Sequence, residues 1–377
     1  MPDKARAPAQ TVLLNGSYAE SLINFRGKLI EQMVGRGHEV HVSAPGISTD
    51  VETKLNALGA VVHHIALGRT GINPLADIGY GIGLYRIMRR ISPDRVIGYT
   101  IKPNIWGSIA AYFAGGRSAS MVTGLGLSFI PGEGVRRRLL QSLMQNLYGI
   151  ATKTNDRVVF QNPDDRDDFI AAGCLANPRK AVLVNGSGVD TNHYAPQPLP
   201  DAPVFLMIGR LLISKGVREY AGAALSILQE RSDCRFMLAG FIDEGPDAIS
   251  RAELDRWIEG GICFLGSLDD VRPALADASI YVLPSYREGT PRSVLEAMSM
   301  GRPIITTDVP GCRETVADGV NGLLVPERNA GALAAAMRAL ADRAGMRERM
   351  GDLSRQIAVE KYAVDKVNDA LMAHLGL

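Results

Sequence analysis

Short apolar runs alternate along the chain with stretches whose apolar residues recur every three or four positions. Thr11, Val12, Leu13 and Leu14 are continuous and apolar enough to predict a buried strand, which breaks at Asn15, Gly16 and Ser17. Leu22, Phe25, Leu29, Ile30 and Met33 then keep helical spacing and predict one helix, ended by Gly35 and Gly37. Further strands are predicted at 39–43, 60–65 and 95–98, with a helix through Ile82, Leu84, Ile87 and Met88. The rhythm restarts at 204–208 and continues with a helix through Ala224 and Ile227, then strands at 235–239, 262–265, 279–283 and 303–306. Strands alternating with helices bury a parallel sheet between two helix layers, so the pattern predicts two successive doubly wound α/β domains. Two such domains imply a cleft between them, with ligands at the carboxyl ends of the strands.

Residues 195–203 (APQPLPDAP) hold four prolines and place a stiff linker between the halves. The expected organisation is a domain at 1–197, a second at 198–355, and a C-terminal helix at 356–377 packing back towards the first domain.

A length of 377 residues suits two ordinary domains, and 46% hydrophobic against 21% charged residues suits globular cores. The 40 glycines exceed ordinary usage without periodicity and suggest many tight strand-to-helix turns. A net charge of +1 excludes a uniformly basic nucleic-acid binder and an acidic disordered chain. That balance is a cancellation: residues 1–197 carry 21 Lys and Arg against 15 Asp and Glu, and the remainder 20 against 25. Four scattered cysteines without a CxxC pair imply neither a zinc site nor a disulfide framework. With no apolar leader and no apolar run of spanning length, a cytoplasmic protein with at most peripheral membrane contact is expected.

Candidate chemistry concentrates in residues 284–298 (PSYREGTPRSVLEAM). Glu288 lies in a strand-to-helix turn with Gly289, Thr290 and Pro291, whose backbone would frame an open helix N-terminus suited to an anion or hydroxyl. Glu296, expected about two turns into the helix, adjoins apolar Leu295 and Ala297, where a carboxylate needs a partner. Two acceptor-only carboxylates at this separation suit a ligand with hydroxyls at two points, such as a sugar and a ribose. In residues 209–216 (GRLLISKG), Arg210 offers a planar fork of donors and Lys215 a point charge, a pair suited to a diphosphate.

Other signals have plainer explanations. Asp165-Arg166-Asp167 matches a metal-binding D-x-D, but after Asn162 and Pro163 it reads as helix capping. Gly79, Gly81 and Gly83 follow no strand, which argues against a dinucleotide site. His63 and His64 are expected to end a strand. Residues 135–148 form a basic amphipathic stretch with Arg136, Arg137 and Arg138 at its start and apolar residues at 139, 140, 143, 144 and 147. This is either an ordinary helix covering the sheet or a surface for anionic lipid or an acceptor's diphosphate.

The sequence resembles the family 4 glycosyltransferases over nearly its whole length. The marks are Glu288 and Glu296 in an E-x7-E signature, G-R-L followed by K-G at 209–216, residues 301–314 (GRPIITTDVPGCRE) and residues 318–325 (DGVNGLLV). Residues 100–104 (TIKPN) and 122–126 (VTGLG) are similar to bacterial enzymes that build glycans on polyprenyl diphosphate. The resemblance implies a GT-B fold, two Rossmann-like domains facing a central cleft, and a retaining, metal-independent hexosyltransferase without cofactor. A nucleotide-sugar, expected to be UDP-linked, would donate to a lipid-linked saccharide, with no nucleic acid partner. Arg210 and Lys215 would stabilise the leaving diphosphate, and Glu288 with the backbone of Gly289, Thr290 and Pro291 would grip the donor sugar. Glu296 would bind the ribose, Phe264 and Gly266 would line the base, and Gly16 would admit the diphosphate. Where many members carry a histidine, this chain has Tyr99 or Thr100, and Lys102 is a candidate acceptor or phosphate contact. An epimerase on the same architecture is the alternative, as is a catalytically silent nucleotide-sugar-binding protein; the first needs acid and base side chains not located here.

Overall fold

The computed structural model describes residues 8–67, 74–126, 129, 135–243 and 245–377, without the side chains of residues 74 and 135–137. The chain forms two compact units, Met1–Ser187 with Val367–Leu377, and Gly188–Lys366.

In the first unit seven parallel strands form one sheet: β1 (Thr11–Asn15), β2 (Glu39–Ala44), β3 (Val61–His64), β4 (Arg95–Tyr99), β5 (Arg117–Val122), β6 (Asn155–Phe160) and β7 (Ala181–Leu183). Their order is β3-β2-β1-β4-β5-β6-β7. Side chains alternate across a strand, so Val12 and Leu14 enter the core on one face of β1 while Leu13 enters that on the other. Leu371, Met372 and Leu375 of the last helix, Val364–Leu375, fill the same core as Leu14.

The second unit holds six parallel strands: β8 (Val204–Ile208), β9 (Arg235–Ala239), β10 (Cys263–Gly266), β11 (Ile280–Leu283), β12 (Ile304–Thr307) and β13 (Gly322–Val325). Their order is β10-β9-β8-β11-β12-β13. Each sheet reverses its strand order once, between β1 and β4 and between β8 and β11. The carboxyl ends of such strand pairs are where doubly wound sheets bind ligands.

Three local features of the structure go beyond the pattern read from the sequence. The periodicity through Leu22 and Met33 splits into two helices, Ala19–Asn24 and Gly27–Gly35. Phe25 at the break is 46% exposed, while Arg26 is buried with its guanidinium over the Tyr99 ring. Second, β5 and β6 carry no long apolar run at their starts. Buried Ser118 and Ser120 instead exchange hydrogen bonds with Asn155, at 2.9 and 2.8 Å, which satisfies polar groups that periodicity counts against a strand. Third, the proline-rich stretch is no free linker. The units divide ahead of it, at Ser187 and Gly188, and buried Arg302 binds the carbonyls of Pro198 and Ala278 at 3.1 and 2.8 Å. Prolines leave carbonyls without matching N–H groups, and this arginine of residues 301–314 satisfies them.

Candidate functional site

The loops after β8 and β11 flank the reversal in the second sheet, and they carry Arg210, Lys215 and Glu288. Lys215 Nζ pairs with Glu288 Oε1, which also accepts from Ser285 Oγ at 2.7 Å. The side chains of Lys215 and Glu288 are only 23% and 12% exposed. Main chain binds the loops together: Tyr286 N–H donates to Ser214 O at 2.9 Å, and Glu288 N–H to Pro310 O at 3.0 Å. Gly216 and Gly311 make this approach possible. Both have positive φ, and a Cβ would stand 2.0 Å from Pro284 O at the first and 2.1 Å from Glu288 O at the second. Gly289 and Pro291 are buried beside Glu288, and Thr290 is half-buried.

The helix Arg292–Ser299 starts directly after Pro291, which takes the N-cap position rather than the first turn. Glu296 therefore lies about one turn in, not two. It is buried and accepts from Arg292 Nε at 2.8 Å and Tyr194 OH at 2.9 Å. Burial pushes its carboxyl pKa up, and Arg292 and the Tyr194 hydrogen bond draw it back. Arg210 is about half exposed, and its guanidinium is held by Asp243 at 2.7 Å. Phe264 on β10 packs partly buried against the core, and Gly266 O accepts from Gly240 N at 2.8 Å.

In the first unit Gly16 directly follows β1 and Tyr99 ends β4, again at the strand-order reversal. A Cβ on Gly16 would stand 2.3 Å from Tyr99 Oη, which sits 2.8 Å from Ser21 Oγ. The immediate reason for this glycine is thus the tyrosine. Gly16→Ala must displace a buried, hydrogen-bonded ring, and is expected to cost about 1–3 kcal/mol as overpacking does. A melting temperature equal to the parent's in thermal unfolding would refute that reason. Thr100 holds φ 71°, rare outside glycine, and donates from Oγ1 to Ser17 Oγ at 2.8 Å. Backbone strain of this kind is imposed by the surrounding structure, and sequence cannot show it. Lys102 is mostly buried against Asp77, 2.8 Å away.

The expected helix cap is present: Asn162 Oδ1 accepts from Asp165 N at 2.7 Å, with Pro163 opening the helix. Gly81 and Gly83 lie inside the helix Pro74–Ile91, where a Cβ would stand 3.0 Å from Trp106 and 3.2 Å from Ile65, so they serve close packing. The basic stretch lies on the helix Val135–Thr154; the side chains of Arg136 and Arg137 are outside the described residues, and Arg138 is exposed. Leu139 and Leu143, expected on its apolar face, are 66% and 46% exposed, so they do not cover the sheet.

Sequence reasoning passed over Ser285, Asp243, Arg292 and Tyr194. Arg292 had a signal, its i,i+4 spacing to Glu296. Tyr194 had none, standing 102 residues from its partner.

Two family models match the chain, "Glycosyl transferase 4-like" over residues 18–162 and "Glycosyl transferases group 1" over residues 202–343. The chain is 29% identical over 325 residues to an N,N'-diacetylbacillosaminyl-diphospho-undecaprenol α-1,3-N-acetylgalactosaminyltransferase of Campylobacter jejuni, spanning 82% of this chain and 84% of that protein. It is 27% identical to the UDP-Gal:α-D-GlcNAc-diphosphoundecaprenol α-1,3-galactosyltransferase of Escherichia coli, over 67% of this chain and 68% of that one. Among solved structures, Anabaena HepE in complex with UDP superposes with a TM-score of 0.77 at 19% identity, covering 97% of this chain and 99% of that one. Sucrose-phosphate synthase of Thermosynechococcus elongatus reaches 0.80 at 17% identity, covering 97% and 98%. With each unit matched by its own model and the fold shared, the chain belongs to the family 4 glycosyltransferases of GT-B fold.

Proposed function

We propose that this glycosyltransferase moves a hexose or N-acetylhexosamine from a UDP-sugar to a polyprenyl-diphosphate-linked saccharide, with retention of configuration and without a metal ion. The observation that carries the proposal is the Lys215–Glu288 pair joining the loops of β8 and β11. It holds a cation and a carboxylate where a sugar diphosphate would present both phosphates and hydroxyls. The Campylobacter and Escherichia relatives named above support the acceptor class, and the second supports the UDP donor.

Cleavage of a glycosyl–phosphate bond builds positive charge on the sugar and negative charge on the departing diphosphate. Lys215 and Arg210 are the cations placed to stabilise the latter. Glu288 with the backbone at Gly289, Thr290 and Pro291 orients the sugar, Glu296 takes the ribose hydroxyls, and Phe264 and Gly266 flank the base. The departing phosphate oxygen can accept the acceptor's proton on the face it leaves, which preserves configuration and requires no protein base.

The test is transfer from UDP-, GDP- and ADP-sugars to a polyprenyl-diphosphate saccharide, with the product anomer read by NMR and a chelator present in parallel. The expected result is turnover of a UDP-sugar, retained configuration and no effect of the chelator; inversion or loss of activity with chelator overturns the corresponding element. Arg210→Ala is expected to lower turnover about 10²-fold, as loss of one preorganised donor does. Near-parental turnover of the same donor would remove Arg210 from this role.

The same proposal places the protein peripherally on the inner face of the cytoplasmic membrane. Among the described residues no helix is long and apolar enough to cross a membrane. Leu75, Ile78 and Ile82 on the helix Pro74–Ile91 are exposed, as are Leu139 and Leu143 beside Arg138. Exposed apolar residues beside basic ones suit an anionic lipid surface. Co-sedimentation with anionic but not neutral liposomes is expected; binding to neither removes the membrane placement.

A further inference from the structure

The strands of the first sheet have a second end, and there the chemistry is different. Arg95 and Arg117 open β4 and β5, Arg157 is the third residue of β6, and Lys180 directly precedes β7. With Lys153 and Arg179 they line an open cavity of about 630 Å³, whose lining also takes in Ala373–Gly376 of the C-terminal segment. The acid in its lining is Asp156. One of its oxygens, Oδ2, is shared by Arg95 at 2.6 Å and Arg117 at 2.5 Å. A single carboxylate thus faces six cations.

Arg95 is the built part of this cavity. It is 8% exposed, and its Nε is buried with no hydrogen-bond partner. Burial, followed by the charge of Arg117, lowers its hold on its proton, and the contact with Asp156 opposes that shift. The cations also lie near the carboxyl end of the helix Val135–Thr154, whose dipole they complement, and Lys180 Nζ binds the carbonyl of Lys153 there at 2.8 Å. Complementing one helix end calls for one or two of them, not six.

We infer that this cavity is an anion site for a diphosphate or similarly clustered phosphoryl groups, a strand's length (roughly 15–20 Å) from the carboxyl ends of β1 and β4. Paired guanidiniums present forked donors that match phosphate oxygens, and a volume of this size exceeds what one phosphate fills. The ligand's phosphoryl groups come either from a soluble compound or from a lipid headgroup. The inference does not depend on the sugar-transfer proposal.

The test titrates inorganic pyrophosphate into the full-length protein by calorimetry, in three forms: parent, Arg117→Glu with Arg179→Glu, and Arg210→Ala with Lys215→Ala. Arg117 and Arg179 are exposed, so the first double variant is expected to keep the parent's melting temperature. If it does not, Arg117→Gln with Arg179→Gln replaces it. The Arg210/Lys215 variant, which lacks the cations proposed for the donor diphosphate, is expected to keep binding pyrophosphate, and the Arg117/Arg179 variant is expected to lose at least about tenfold in affinity at this second site. Sedimentation with phosphatidylglycerol vesicles against phosphatidylcholine vesicles separates the sources. Loss of vesicle binding in the same arginine variant assigns the site to a headgroup, and unchanged vesicle binding assigns it to a soluble ligand. Pyrophosphate and vesicle binding both indifferent to the Arg117/Arg179 variant, or no binding by the parent, overturns the site and leaves the cations as partners of helix ends only.

Discussion

Lys215→Ala is expected to slow sugar transfer about 10²- to 10³-fold, the loss that follows removal of a preorganised group facing developing charge. The ammonium is held by Glu288 in a mostly buried position, so little reorganisation is needed when the diphosphate departs. The effect falls on kcat more than on KM, because the charge it meets grows in the transition state. The variant is expected to stay folded, because Glu288 keeps the Ser285 hydroxyl as a donor and its backbone N–H stays bonded to Pro310 O. Glu288→Gln combined with Lys215→Ala is expected to be much less damaging than the sum of the two single changes, since each removes the other's partner. Steady-state kinetics of the three variants with one donor decide the matter; parental kcat in Lys215→Ala would show that the pair only ties the loops together, and strict additivity would show that the two side chains act independently.

The second large effect concerns stability. Arg292→Ala strips Glu296 of its cation and leaves a buried carboxylate supported by Tyr194. Breaking a buried pair from one side typically costs about 3–5 kcal/mol, and with Arg292 itself 29% exposed the lower end applies. A loss of about 3 kcal/mol corresponds to a fall in Tm of roughly 10 °C for a unit of this size. The pH dependence has a definite sign. Burial already raises the folded-state pKa of Glu296, so the folded protein holds that proton more tightly than the unfolded chain does. Its contribution is therefore most favourable at acid pH and is lost as pH rises through the raised pKa. Removing Arg292, whose charge opposes the rise, widens that loss. The Tm deficit of Arg292→Ala should accordingly be largest near neutral pH and shrink towards pH values where Glu296 is protonated. Glu296→Gln in the same background should restore stability without restoring nucleotide binding. A deficit that does not vary with pH would mean that Arg292 contributes packing alone.

The two proposed cation sites differ in how visible they were beforehand. Lys215, Glu288 and Glu296 stood out through spacing within short stretches of chain, and the doubly wound pattern was plain in the apolar runs of β1, β4, β8 and β11. The helix break at Phe25 was not visible, because Phe25 keeps the period while pointing outward. Nor were β5 and β6 conspicuous, since their buried serines and asparagine mimic a loop composition until their mutual hydrogen bonds are seen. The cavity around Arg95 was illegible in principle. Its cations come from the starts of several strands and are adjacent only because parallel strands bring like ends together.

From the sequence alone came the alternation of strands and helices, the turn residues that must be glycine or proline, and the carboxylates and cations near them. These are local matters, decided by periodicity and by the conformations available to neighbouring residues. Which of those groups meet was decided by the tertiary structure. Strand order sets β8 beside β11 and so brings Lys215 to Glu288 across 73 residues, and the fold of the second unit carries Tyr194 to Glu296 across 102. It also decided the job of the proline-rich stretch, through one buried arginine. Pair energies depend on distance and burial, and neither is a property of a residue's place along the chain.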